Sequence, residues 1–244
     1  MRGFLLLVLF LGNFISPAQT IISGGNVSGV WNQEGSPYLI QNDISIVSSL
    51  IIEPGVDVVF ENYSLFQVFG TLTANGQIND SITFTVSDTS GFYNMTHNGW
   101  GGVEIIDSSS IEMKYCIIEY STASGISIFE SNTVFQDNQI RFCASGMFVV
   151  NASCSFERID INNNFGNGIY LHSGYYGNPI IISDFIVRNN QGIGILCGDG
   201  SHLIADNGIL SQNIHGIEIG YESGPQLINI EIKNNGSAVI NGEA

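Results

Sequence analysis

The sequence predicts an all-β chain, wound as a right-handed, single-stranded parallel β-helix of roughly nine coils of about 22 residues. Three observations predict it. A Gly-apolar-x-apolar unit recurs through the second half at a nearly constant step. Apolar and polar residues alternate with period two inside each unit. Asn-rich elbows, rather than helices or hairpin turns, join the short β-rich runs.

The recurring units are Gly125-Ile126-Ser127-Ile128, Gly146-Met147-Phe148-Val149, Gly168-Ile169-Tyr170-Leu171, Gly194-Ile195-Leu196-Cys197 and Gly216-Ile217-Glu218-Ile219, with a degenerate Ala238-Val239-Ile240-Asn241. From Gly125 onward the steps are 21, 22, 26, 22 and 22 residues, and the long step carries the insertion Gly174-Tyr175-Tyr176-Gly177. Self-similarity at such a period marks a stacked architecture. Stacking then predicts two inward ladders. One holds Ile126, Met147, Ile169, Ile195, Ile217 and Val239, and the other holds Ile128, Val149, Leu171, Cys197 and Ile219. Between them an outward column reads Ser127, Phe148, Tyr170, Leu196, Glu218 and Ile240.

A second β-rich run precedes most units: Cys116-Ile117-Ile118, Ile159-Asp160-Ile161, Phe185-Ile186-Val187 and Ile230-Glu231-Ile232. Three of these lead into Asn162-Asn163-Asn164, Arg188-Asn189-Asn190 and Lys233-Asn234-Asn235. Asn tolerates the left-handed backbone of a tight elbow, and stacked Asn amides can bond the coil above and below.

The chain opens with Arg2, an apolar run from Phe4 to Leu11, and Ser16-Pro17-Ala18 before Gln19. This is the pattern of a secretory signal, too short to span a bilayer. It predicts a signal peptide over 1–18, an N-terminal lead-in and cap over 19–43, and a repeat domain over 44–244. That domain ends in a degenerate strand without an evident cap, as expected if further domains of a longer chain follow or if something else covers that end. The expected location is secreted, extracellular or at the cell surface, without membrane insertion.

Six Lys plus Arg stand against 22 Asp plus Glu, for a net charge of −16. A surface this acidic repels phosphate backbones and anionic headgroups, which excludes nucleic acid as a partner class. The cysteines Cys116, Cys143, Cys154 and Cys197 match no zinc spacing, and Cys197 falls on an inward ladder, so buried thiols are expected rather than a disulfide framework.

The first half follows the same grammar with less regularity. It contains Ile52-Glu53-Pro54-Gly55-Val56, Gly70-Thr71-Leu72-Thr73-Ala74-Asn75-Gly76, Ile82-Thr83-Phe84-Thr85 and Trp100-Gly101-Gly102-Val103. These motifs resemble the opening coils of bacterial extracellular parallel β-helix proteins of the pectate-lyase-like superfamily. Gly25-Asn26-Val27-Ser28-Gly29-Val30-Trp31 resembles their capping lead-in. The resemblance covers nearly all of residues 24 to 240. It implies the fold, and a superfamily holding lyases, hydrolases and adhesins.

A lyase of that kind needs an Arg or Lys base and often calcium, the one cofactor such an activity would add; otherwise none is expected. Arg188 is the candidate base, with Asp184, Asp206 and Asp160 as acids that could flank it from neighbouring coils, though the repeat does not put them in one column. Arg141, Arg188 and Lys233 fall near one elbow column, with Glu119, Asn162 and Ser211 at the other rungs, which reads as solvated turn positions. The Asn-Thr-Asp, Asp-Asp, Gly-His-Gly and Arg-Ile-Lys elements of the polygalacturonase-like branch are missing; Thr133 is followed by Val134, not Asp. Asp199 and His202, in Gly198-Asp199-Gly200-Ser201-His202, are weak metal-ligand candidates: with no third ligand, a plain turn is the better reading.

The more suggestive pattern is aromatic. Phe148, Tyr170 and Leu196 face outward on consecutive coils, and Tyr175, Tyr176 and Tyr221 lie in loops beyond that strand. Aromatic faces on a rigid sheet suit stacking on sugar rings. The sequence thus predicts a module binding extracellular polysaccharide or another surface polymer. The alternatives are a polysaccharide lyase or hydrolase, and a structural stalk or adhesin segment.

Overall fold

A computed structural model describes residues 19–90, 99–107, 109–131, 133–172 and 179–241. Every strand-to-strand ladder in it is parallel, and each strand pairs with the equivalent strand of the coils before and after. The coils have three faces. Ten strands form the first face, from Gly25–Asn26 through Ser124–Phe129, Ser145–Val150, Ile169–His172, Ile193–Cys197 and His215–Ile219 to Ser237–Asn241. The second face includes Ser110–Lys114 and Thr133–Gln136, and the third Cys116–Glu119 and Gln139–Arg141.

The first-face register is the one the repeat predicts. Ile126, Met147, Ile169, Ile195, Ile217 and Val239 are successive partners, and so are Ile128, Val149, Leu171, Cys197 and Ile219. Side chains of these ladders fill the tube: Ile128, Val149, Ile169, Leu171, Ile195, Cys197 and Ile217 are fully buried. Each such aliphatic side chain contributes about 1.5–3 kcal/mol by leaving water. Near the start, where apolar spacing is less regular, aromatics fill the tube instead. Trp100 stacks on Phe60 at 4.1 Å and donates its indole N–H to the Glu119 carbonyl at 2.8 Å.

The glycine column answers to close approach rather than to backbone angle. A Cβ at Gly194 would lie 2.5 Å from the Gly216 carbonyl oxygen, and one at Gly216 2.5 Å from that of Ala238. Beside it runs an Asn ladder inside the tube. Asn164, Asn190 and Asn213 each donate Nδ2 to the Oδ1 of the next Asn, at 2.9, 3.0 and 3.2 Å, ending on Asn235. Each Oδ1 also accepts the backbone N–H of the coil before it. The elbows themselves use left-handed residues: Asn163, Asn189 and Asn234 all have φ of 56°.

Two features differ from the sequence reading. Short strands joined by elbows give way late in the chain to long ones, Ile180–Arg188, Leu203–Ser211 and Gln226–Lys233. A single left-handed residue in each, Asp184, Asn207 or Asn229, turns the strand from the second face to the third without breaking the ladder. The stretch read as lead-in also contributes strands: Thr20–Ile22 pairs with Tyr38–Ile40, and Gly29–Trp31 with Ser49–Ile52. The four cysteines are free and buried, as expected. Burial pushes the Cys143 and Cys197 thiols up to about 12.

Candidate functional site

The outward column of the first face is where the sequence places it. Ser127, Phe148, Tyr170, Leu196 and Glu218 are successive cross-coil partners. They face out because period-two alternation sends their neighbours into the core. The rings form a continuous strip: Phe129 meets Phe148 edge-on at 5.9 Å, Phe148 lies tilted against Tyr170 at 5.1 Å, and Tyr170 meets His172 edge-on at 6.2 Å.

The strip runs into a concavity of about 440 Å³ lined by Tyr170, His172, Leu196, Gly198, Asp199, Glu218, Gly220 and Tyr221. Two stacked turns build its wall. Gly198-Asp199-Gly200-Ser201 and Gly220-Tyr221-Glu222-Ser223 are one coil apart, and both serine hydroxyls donate to the Gly198 carbonyl at 2.6 Å. Asp199 Oδ1 accepts the Tyr221 N–H at 3.1 Å. Gly198 lies so close beneath the Tyr170 ring that an added Cβ would sit 2.8 Å from Cε2. The Glu222 carboxylate accepts from the Tyr221 phenol and holds it protonated above its ordinary range.

Of the aromatic candidates, the structure brings Phe148, Tyr170 and Tyr221 to one strip and concavity. Tyr175 and Tyr176 lie outside the described residues. Three contributors were missed by sequence reasoning: His172, Phe129, and Glu218 as part of a site. The repeated Gly-x-x-Ser, with Ser201 and Ser223 22 residues apart, was the signal that the two loops stack.

The other candidates are dispersed. Arg188 binds Asp160 at 3.0 Å, and that hydrogen bond and charge raise its pKa further, which favours the cation over the free base a lyase needs. Asp184 bonds Asn207, and Asp206 accepts from Asn229 at 3.2 Å, both along the bend that separates them from Arg188. Asp199 lines the first-face concavity, whereas His202 lines another with Pro179, Leu203, Ile204, Gly224 and Gln226. Among the described residues no group of three or more His, Cys, Asp or Glu side chains is placed to hold a metal ion. No helix among them is long and apolar enough to cross a membrane.

The column of charges on the third face also has the register expected of it: Glu119, Arg141, Asn162, Arg188, Ser211 and Lys233. Its cations are paired, Arg141 with Glu119 at 2.8 Å and Lys233 with Glu231 at 2.9 Å.

Among solved structures, the chain is similar to a double mutant of the periplasmic alginate epimerase AlgG. The identity is 12% with a TM-score of 0.50, over 93% of this chain and 79% of that one. A likeness to the A-module of the Azotobacter vinelandii mannuronan C-5 epimerase AlgE4 covers 89% of this chain and 91% of that one, at 10% identity and a TM-score of 0.29. Identities this low speak to fold and not to chemistry. No curated protein matches the chain. The family model described as right handed beta helix region matches residues 19–181. With about two-thirds of its length matched and parallel coils along the described residues, the chain belongs to the right-handed β-helix family.

Proposed function

We propose that the protein is a secreted or cell-surface β-helix module that binds polysaccharide, or a comparable surface polymer, along its first face. The observation that carries this reading is the outward strip Phe129–Phe148–Tyr170 running into the concavity walled by Tyr221. Pyranose rings have apolar C–H faces that stack on aromatic rings, and their hydroxyls bond the polar groups at the rim. Successive coils offer such a surface at intervals of about 4.8 Å, so an extended glycan can lie along the stack. The basic start, apolar run and small-residue site before Gln19 support export.

The test is retention on an array of neutral glycans. The double variant Phe148→Ala/Tyr170→Ala should bind at least about tenfold more weakly than the parent, as expected when stacked anchors are lost. Unchanged retention by a folded variant would remove the reading and leave the structural-segment alternative.

One observation favours a catalytic role as a second reading: His172, Asp199, Glu218 and Tyr170 border the same concavity. Imidazole and carboxylate beside a bound sugar are the groups that acid–base chemistry uses. Release of shortened products from a bound glycan, lost in His172→Ala, would promote it.

A further inference from the structure

Charge is divided among the faces of the coil, and the division bears on which glycan the site takes. The described cations are Lys114, Arg141, Arg158, Arg188 and Lys233. All lie on the second and third faces or the elbow between them, and each is paired with a carboxylate. The first-face strands carry no Lys or Arg at all. The concavity that ends the aromatic strip is lined by Asp199 and Glu218, with Glu222 on the neighbouring turn.

We infer that the first-face site selects glycans bearing free, protonated amino groups, polymers of the glucosamine type, over neutral and uronate polymers. This rests on the carbohydrate-binding reading above. The Tyr170 ring supplies the stacking surface, and Leu196 and then Glu218 follow on the next two rungs of the same column. Two rungs are about 10 Å. A sugar stacked on Tyr170 therefore places its neighbour within reach of the Glu218 carboxylate. Asp199 spends one oxygen lone pair on the Tyr221 amide and keeps its remaining acceptor capacity for a ligand. An ammonium group gains from this field, an acetamide gains nothing, and a uronate carboxylate is repelled. Alginate, named for the solved neighbours, is a polyuronate, and no cation on this face would meet it.

The experiment compares hexamers of glucosamine and of N-acetylglucosamine, identical in length and linkage, by titration calorimetry at a pH where the amine is charged. The free-amine hexamer should bind at least about tenfold more tightly, a difference of about 1.4 kcal/mol. Glu218→Gln, and Asp199→Asn/Glu218→Gln, should reduce that ratio to about twofold or less; asparagine retains the acceptor for the Tyr221 amide. Equal affinity for the two hexamers would overturn the inference while leaving glycan binding in place. So would a preference that survives the double substitution, because it would then arise from the net charge of the whole chain. If neither hexamer binds, the inference and the carbohydrate reading fall together.

Discussion

Asn190 shows how much one side chain can hold in a stack. Its Oδ1 accepts from the Asn164 backbone at 3.1 Å and side chain at 2.9 Å, and its Nδ2 donates to Asn213 and to the Ile161 carbonyl. Alanine there would leave donors of one coil and acceptors of another unpaired inside the tube. A buried orphan costs about 1–3 kcal/mol, so Asn190→Ala should destabilise by about 2–4 kcal/mol in urea titrations. The ion pairs predict a contrast. Glu119 is nearly buried beneath Arg141, whereas Glu231 and Lys233 are about half exposed. Arg141→Leu should cost about 2–3 kcal/mol because it leaves the nearly buried Glu119 carboxylate with the Thr85 hydroxyl but no cation, and Lys233→Ala less than about 0.5 kcal/mol. The thiols supply a pH dependence. Cys143 and Cys197 titrate near 12 when folded and near 9 when released, so the unfolded chain loses these protons first as pH rises. Stability should therefore hold up to about pH 9 and fall above it. A disulfide reagent at pH 8 should find none of the buried thiols until denaturant is added. Stability that rises above pH 9, or prompt reaction of the native protein, would contradict the burial.

At the scale of the element, much of the fold was legible and the lateral placement of loops was not. The two inward ladders, the outward Phe148–Tyr170–Leu196 column and the Glu119–Arg141–Asn162–Arg188 column could be read because two periods agree. Alternation fixes which way a residue points, and the 22-residue repeat fixes what lies above it. The relation of Asp184 and Asp206 to Arg188 could not be read. It depends on one left-handed residue inside a continuous strand, and Asp184 and Asn207 carry no stronger local signal for that bend than many polar residues. The concavity was hidden for a similar reason: it forms where the turns at Gly198 and Gly220 curl back toward Tyr170, and no periodicity encodes that curl. This places a prediction on Gly198. An alanine methyl would meet the Tyr170 ring and the Leu171 carbonyl, so Gly198→Ala should tilt the ring and weaken glycan retention several-fold with the stack intact. Retention equal to the parent would mean that the orientation of Tyr170 is irrelevant to binding.

At the scale of the whole molecule, each coil leans on its two neighbours, and stability is close to a sum over coils and the interfaces between them. Ile193 and His215 occupy equivalent positions. Excision of residues 194–215 therefore joins Ile193 to Gly216 in register, and should leave a shorter folded stack with an unchanged circular dichroism shape. Excision of half that length would place polar residues in the tube and abolish cooperative unfolding.

The same one-dimensional plan gives the molecule faces of different chemistry, with paired cations on two of them and rings and carboxylates, but no Lys or Arg, in the strands and turns of the first. On the proposed reading, the first face is the binding face. Chemical-shift mapping tests it most directly, by adding a glucosamine hexamer to labelled protein. Perturbations should be confined to Phe129, Phe148, Tyr170, His172, Leu196, Asp199, Glu218, Tyr221 and their immediate neighbours. Shifts centred on the second or third face, or none at all, would contradict it.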